Sequence, residues 1–215
     1  ADKGDGEGFR IRRKISTESI VMVMLPGSRR GEVKRLLHVF CKTALYLSKD
    51  HPDLTIIIPV FGSLYEAIND RIKQWPLDVR IVVGDKEKFD SFAAADIALA
   101  ASGTVALELA MAGTPTVVGY KVHPVTAWLA KILIKTPYAN LINIILNREV
   151  VPEFIQENCQ PALLQRALAV FLNDKNAGSQ QIKASNEALQ KIGKDGPLPS
   201  GRAADAILSL LKEDK

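Results

Sequence analysis

The stretch IALAASGTVALELAMAGTPTVVG, residues 97–119, reads as strand, turn, helix, stop and strand. Residues 97–101 form a continuous apolar run, the pattern of a strand covered on both faces. Ser102, Gly103 and Thr104 make a turn of small residues, and a short helix follows until Gly113 stops it. Such a turn leaves free backbone N–H groups at a helix N-terminus, which suits a phosphate. Glu108 lies four residues after Thr104, so both share one helix face. Helical side chains lean toward the N-terminus, so Glu108 points back toward the turn. A phosphate would repel this carboxylate, whereas the ribose diol, the next group along a nucleotide, would be accepted by it. The simpler alternative is an ordinary N-cap followed by a solvated glutamate.

A second unit of the same kind lies upstream. The apolar run IVMVML, residues 20–25, leads into PGSRRGE, residues 26–32. A helix follows, with Val33, Leu36, Leu37 and Phe40 at helical spacing. Gly27 permits a tight turn and Ser28 can cap, while Arg29 or Arg30 can make a charge-assisted bond to an anion. The other arginine is left to solvent.

Strand and helix alternate along the whole middle of the chain. Strands at 20–25, 54–60, 79–83, 96–100 and 115–119 are separated by helices near 32–49, 63–74, 86–94 and 103–112. This rhythm predicts an α/β fold, a Rossmann-like parallel sheet with helices on both faces. Ligands of such sheets bind at strand carboxyl ends near a switch in strand order. Both turns start at carboxyl ends, so they can converge on one crevice. Residues 1–19 are charged and glycine-rich and read as a linker or mobile arm. Residues 20–159 read as the Rossmann-like domain, and residues 160–215 as extra helices near 160–173, 179–192 and 201–212. These pack on that domain or on another outside the chain.

Residues 123–135 form a predicted helix with Val125, Trp128, Leu129 and Ile132 on one face. Leu133 and Ile134 widen the apolar surface, while Lys131 and Lys135 stay polar. Tyr138, Leu141, Ile142, Ile144, Ile145 and Leu146 continue it, interrupted by Asn140, Asn143, Asn147, Arg148 and Glu149. This is more apolar surface than one core-facing stripe requires. Burial on two sides and contact with a membrane interface or acyl chains both fit.

The 215 residues suffice for one good-sized α/β domain plus extra elements. The net charge of +4 is mild, basic and acidic residues are interspersed, and only 6% of residues are aromatic. Without a basic stripe carrying stacking aromatics, nucleic acid is not the expected partner. Anionic small molecules or an anionic membrane surface fit better. Cys41 and Cys159 are far apart and show no disulfide or metal spacing, which suits a reducing compartment. Cys41 falls in a helical pattern and reads as a buried thiol. His38, His51 and His123 are the only histidines, and neither His38 nor His51 is positioned as a catalytic base. No serine-nucleophile elbow, Walker loop or metal cluster is present. A nucleotide crevice without a general base suggests part of a larger site.

Six motifs together resemble the lipid-A-disaccharide synthase family, inverting glycosyltransferases of GT-B type. They are LPGSRRGEV (25–33), ASGTVALELA (101–110), GTP (113–115), YKV (120–122), TAWLA (126–130) and REVVPEF (148–154). The resemblance runs through the chain but covers only the carboxyl-terminal half of the family. It implies an amino-terminal Rossmann-like domain preceding Ala1, and the glycine-rich residues 2–8 resemble the stretch after that domain. It also implies transfer of 2,3-diacylglucosamine from its UDP donor to 2,3-diacylglucosamine 1-phosphate, forming a β-1,6 linkage. Gly27, Ser28, Arg29, Ser102, Gly103 and Thr104 would meet the diphosphate, and Glu108 the ribose. Val83 and Gly84 would receive uracil through their backbone, and Asn143, Arg148 and Glu149 would lie near the donor sugar. Trp128, Leu129, Lys131, Ile132, Leu133 and Lys135 would touch membrane or acyl chains. The acceptor site and catalytic carboxylate would belong to the amino-terminal domain, so this chain alone is expected to bind without turnover. No cofactor or metal is expected, because arginine and helix dipoles can stabilise leaving UDP. The implied location is cytoplasmic, peripheral on the inner face of the inner membrane of a Gram-negative cell, with a homodimer left open. Another GT-B transferase, a UDP-sugar epimerase and a non-catalytic nucleotide-binding module remain as alternatives.

Overall fold

The computed structural model describes residues 4–122, 136–196, 200, 201, 203, 204 and 207–209. Among them, six strands form one sheet: β1 (Val21–Leu25), β2 (Thr55–Val60), β3 (Asp78–Val83), β4 (Ile97–Ala100), β5 (Thr116–Tyr120) and β6 (Glu153–Ile155). Their order is β3-β2-β1-β4-β5-β6, and every pairing is parallel. The chain winds outward from β1 to one edge, then crosses back and starts again at β4. The switch in strand order therefore falls between β1 and β4.

Successive side chains of a strand point to opposite faces, and here both faces are covered. Met22, Met24, Ile56, Ile58, Ile97, Leu99 and Val117 share one core with α2 (Arg30–Leu47) and α3 (Tyr65–Ile72). Val21, Val23, Ile57, Ala98 and Ala100 face the other way, against α4 (Asp85–Ala94) and Leu109 of α5 (Val105–Ala112). Each fully buried Val, Leu, Ile or Met side chain here contributes about 1.5–3 kcal/mol.

Residues 4–19, the described part of the expected mobile arm 1–19, are instead folded against the domain. Residues Gly6–Arg12 form α1, capped by Asp5, whose Oδ1 accepts from Gly8 N–H at 2.8 Å. Phe9 is completely buried in the α4 core. The glycines here serve close approach, because a Cβ on Gly4 or Gly6 would collide with the α4 backbone at Phe89 or Ala93. Arg12 pairs with Asp90, Arg13 with Glu87, and Arg10 with Asp96 at 2.9 Å. Burial alone would raise the Asp90 carboxyl. The Asp5 N–H, Lys86 and Arg12 outweigh it and hold Asp90 below the usual carboxylate range.

Beyond β5 come α6 (Leu141–Leu146), β6, α7 (Pro161–Asn173) and α8 (Lys175–Lys191). Leu164 and Leu168 of α7 are fully buried in the α2 core, while Ala188 and Leu189 of α8 pack with Ala110 and Ile142 on the opposite side. Cys41 and Cys159 are buried free thiols, each pushed up to about 11 by burial. No helix among the described residues is long and apolar enough to cross a membrane.

Candidate functional site

β1 and β4 are neighbours, so the turns that leave their carboxyl ends lie side by side. Ala101 N–H donates to Leu25 O at 2.8 Å and ties the two strands together just before both turns. From there α2 runs back over one face of the sheet and α5 over the other. The gap between them is the crevice that the strand order creates.

The first turn requires glycine. Gly27 has φ +116°, and a Cβ there would strike Glu32. Glu32, in the first turn of α2, accepts from Ser28 N–H at 3.0 Å through Oε2, and its Oε1 lies 3.4 Å from Arg29 Nη1. A carboxylate of the protein thus rests on the groups expected to receive a phosphate. Arg29 and Arg30 are both exposed, Arg29 by 82% of its side chain. Glu32 is signalled in the sequence only as an acid at the third helical position, where capping boxes place one.

In the second turn Gly103 has φ +138° and Thr104 is exposed at the start of α5. The Ser102 hydroxyl donates to Ala139 O at 2.8 Å, so it braces the 136–140 loop while its backbone remains part of the turn. Glu108 does not stand alone. Lys88 of α4 places its Nζ 2.7 Å from Glu108 Oε2 and lies over the Phe89 ring at 4.6 Å. Nothing in the sequence singles out Lys88 from its charged neighbours. Val83 and Gly84 end β3 and open α4: Val83 is 48% exposed and Gly84 has φ +95°. Lys88 N–H donates to Gly84 O at 3.0 Å, so the expected base contact and the partner of Glu108 share one helical turn.

The donor-sugar residues separate. Asn143 is completely buried and spends its amide on the protein. Its Oδ1 accepts from Val150 N–H at 2.8 Å and Val151 N–H at 2.9 Å, and its Nδ2 donates to Val151 O and Glu153 Oε1. With four bonds the side chain is saturated, so its place near the expected donor-sugar region is a structural one. Asn143 instead folds the loop before β6. Arg148 pairs with Glu187 of α8 at 3.0 Å, with both side chains about half exposed, and Glu149 is exposed beside it. Glu153, not foreseen, also accepts from Ala139 N–H at 2.7 Å, so Ala139 is held between Glu153 and Ser102. Trp128, Leu129, Lys131, Ile132, Leu133 and Lys135 lie outside the described residues. Among the described residues, no group of three or more His, Cys, Asp or Glu could hold a metal ion.

This strand order, with helices on both faces and two glycine turns at the switch, is one Rossmann-type half of the GT-B glycosyltransferase fold. Sucrose-phosphate synthase from Thermosynechococcus elongatus superposes with TM-score 0.62 at 13% identity, over 96% of this chain and 50% of that one. The C-terminal CMP-Kdo binding domain of WaaA from Acinetobacter baumannii superposes with TM-score 0.57 at 14% identity, over 86% of this chain and 96% of that one. A family model described as lipid-A-disaccharide synthetase matches residues 4–203, and the chain belongs to that family. Lipid-A-disaccharide synthase of Rhodospirillum centenum is 42% identical over 211 residues, which are 98% of this chain and 53% of the relative. The chain thus spans about half the length of the curated relatives it matches.

Proposed function

We propose that this chain is the donor-binding part of a lipid-A-disaccharide synthase and holds UDP-2,3-diacylglucosamine in the crevice between β1 and β4. The observation that carries this is the pair of glycine turns on adjacent strand ends, in a chain of this family. The turn backbones and Arg29 meet the diphosphate, Glu108 the ribose, and the backbone at Val83 and Gly84 the base. As the glycosidic bond to UDP breaks, negative charge grows on the diphosphate. The exposed Arg29 and the N-terminus of α5 are positive partners for that charge, so the reading uses no metal. The acceptor, 2,3-diacylglucosamine 1-phosphate, and the carboxylate that activates it are assigned to the half of the relatives' length that this chain does not span. The apolar, lysine-flanked sequence of residues 123–135 supports a peripheral location on the anionic inner face of the inner membrane.

Glu108→Gln tests the assignment. The change keeps the shape but removes the charge and one acceptor, and hydrogen bonds to a charged group contribute about 1.5–3 kcal/mol. UDP affinity should fall about tenfold or more by calorimetry, and by much less for 2′,3′-dideoxy-UDP. The ion pair with Lys88 is partly exposed, so its loss costs at most about 1 kcal/mol and lowers Tm by about 2–4 °C. Intact UDP affinity with a lowered Tm would make Glu108 a structural partner of Lys88 and nothing more.

A further inference from the structure

Glu108 presents its two oxygens differently. Oε2 is buried and accepts no aligned hydrogen bond, so its contact with Lys88 is an ion pair, yet the side chain as a whole is 30% exposed. The buried oxygen is the one that Lys88 Nζ approaches at 2.7 Å. Lys88 is itself only 19% exposed, its ammonium 4.6 Å from the Phe89 ring centre and 5.9 Å from that of Phe92. Both rings belong to α4, and Phe92 is fully buried. Aromatic faces attract a cation and confine the lysine stem, so the ammonium has little freedom to swing away.

From this geometry we propose that Lys88 is a positioning residue for nucleotide binding, holding Glu108 by Oε2 so that Oε1 is turned to the ribose. The proposal rests on the ribose assignment made above for Glu108. Two consequences of the ion pair serve a diphosphate ligand. A carboxylate with one oxygen fixed keeps a single orientation before the ligand arrives, so less ordering remains to oppose binding. The ammonium also offsets the negative charge of Glu108, which stands one helical turn from the expected diphosphate seat at Ser102–Thr104 and would otherwise repel it. Lys88 further connects the parts of the site, since its N–H bonds to Gly84 O in the turn assigned to the base. The base contact and the lysine that holds Glu108 are thereby built on one turn at the start of α4, and the lysine carries the geometry of that turn across to Glu108 on α5.

A double-mutant cycle read by UDP calorimetry tests this on the full chain. Lys88→Met keeps the aliphatic stem against the two rings and removes the charge. It should weaken UDP about fivefold or more, as expected for coupled residues in contact, and 2′,3′-dideoxy-UDP distinctly less. In the Glu108→Gln background the same change should cost less than about twofold, because the group it positions is already disabled. Lys88→Arg, which restores a cation, should recover most of the affinity lost in Lys88→Met. If the methionine protein does not fold, Lys88→Gln, which also removes the charge, takes its place in the cycle with the same expected outcomes. Equal losses with Glu108 present or replaced would overturn the proposal and make Lys88 a direct ligand contact or a general structural support. Weakening by Glu108→Gln without any effect of Lys88→Met would overturn it too, while leaving the ribose assignment intact. If Glu108→Gln left UDP binding unchanged, the ribose assignment itself would fall, and the role of Lys88 with it.

Discussion

Asn143→Ala should lower the melting temperature by about 6–20 °C. The substitution strands two backbone N–H groups, the Val151 carbonyl and one oxygen of Glu153, where Val151 is buried and Val150 and Glu153 are half-buried. Each unsatisfied buried group costs about 1–3 kcal/mol, and even with some rescue by water the sum is roughly 3–5 kcal/mol. In a domain of this size each kcal/mol moves Tm by about 2–4 °C. Asn143→Asp should be no better, because it keeps the acceptor for Val150 and Val151 but turns a second oxygen toward the Glu153 carboxylate. Differential scanning calorimetry checks both variants. A direct sugar ligand would behave in the opposite way, with an unchanged Tm and a loss confined to the UDP-sugar.

Arg29→Ala should weaken UDP by about 10- to 150-fold and leave uridine almost untouched, since a hydrogen bond to a charged group contributes about 1.5–3 kcal/mol. Its contact with Glu32 is long, at 3.4 Å, and the arginine is 82% exposed, so stability should stay the same. That separation is what distinguishes a ligand contact from a structural one. Calorimetric titration of the variant with UDP and with uridine makes the comparison. Equal losses for both ligands would indicate a structural role or transfer the phosphate contact to Arg30.

Strands β1, β2, β4 and β5 are legible in the sequence because buried parallel strands are largely apolar runs, the edge strand β3 is legible from its β-branched run Val79–Val83 despite Arg80, and the turn glycines mark where units reverse. The helices between them follow from periodicity, and the switch between β1 and β4 is then the one place where both glycine turns can meet. Other features depend on contacts that no local pattern encodes. The α1 helix hides behind glycines that signal flexibility in general but here let its backbone approach α4. β6 has only three residues and exists through its pairing with β5. The Lys88–Glu108 pair joins two helices whose relative rotation is set by packing, so the charge pattern of α4 alone cannot single out Lys88. Asn143 shows the same limit from the other side. The family resemblance places it near the donor sugar, whereas its burial and four internal bonds come from how the loop folds around it.

The central claim is that the turns after β1 and β4 jointly seat the diphosphate of a uridine nucleotide. Amide chemical shifts of the nitrogen-15-labelled chain, followed while UDP and then uridine are titrated to millimolar concentration, test it most directly. UDP should move the amides of Gly27, Ser28, Arg29, Ser102, Gly103 and Thr104 together, along one saturation curve. Uridine should bind more weakly and move chiefly Val83, Gly84 and the residues around Glu108. If UDP at millimolar concentration left both turns unmoved, or moved one turn without the other, the diphosphate seat between β1 and β4 would be contradicted.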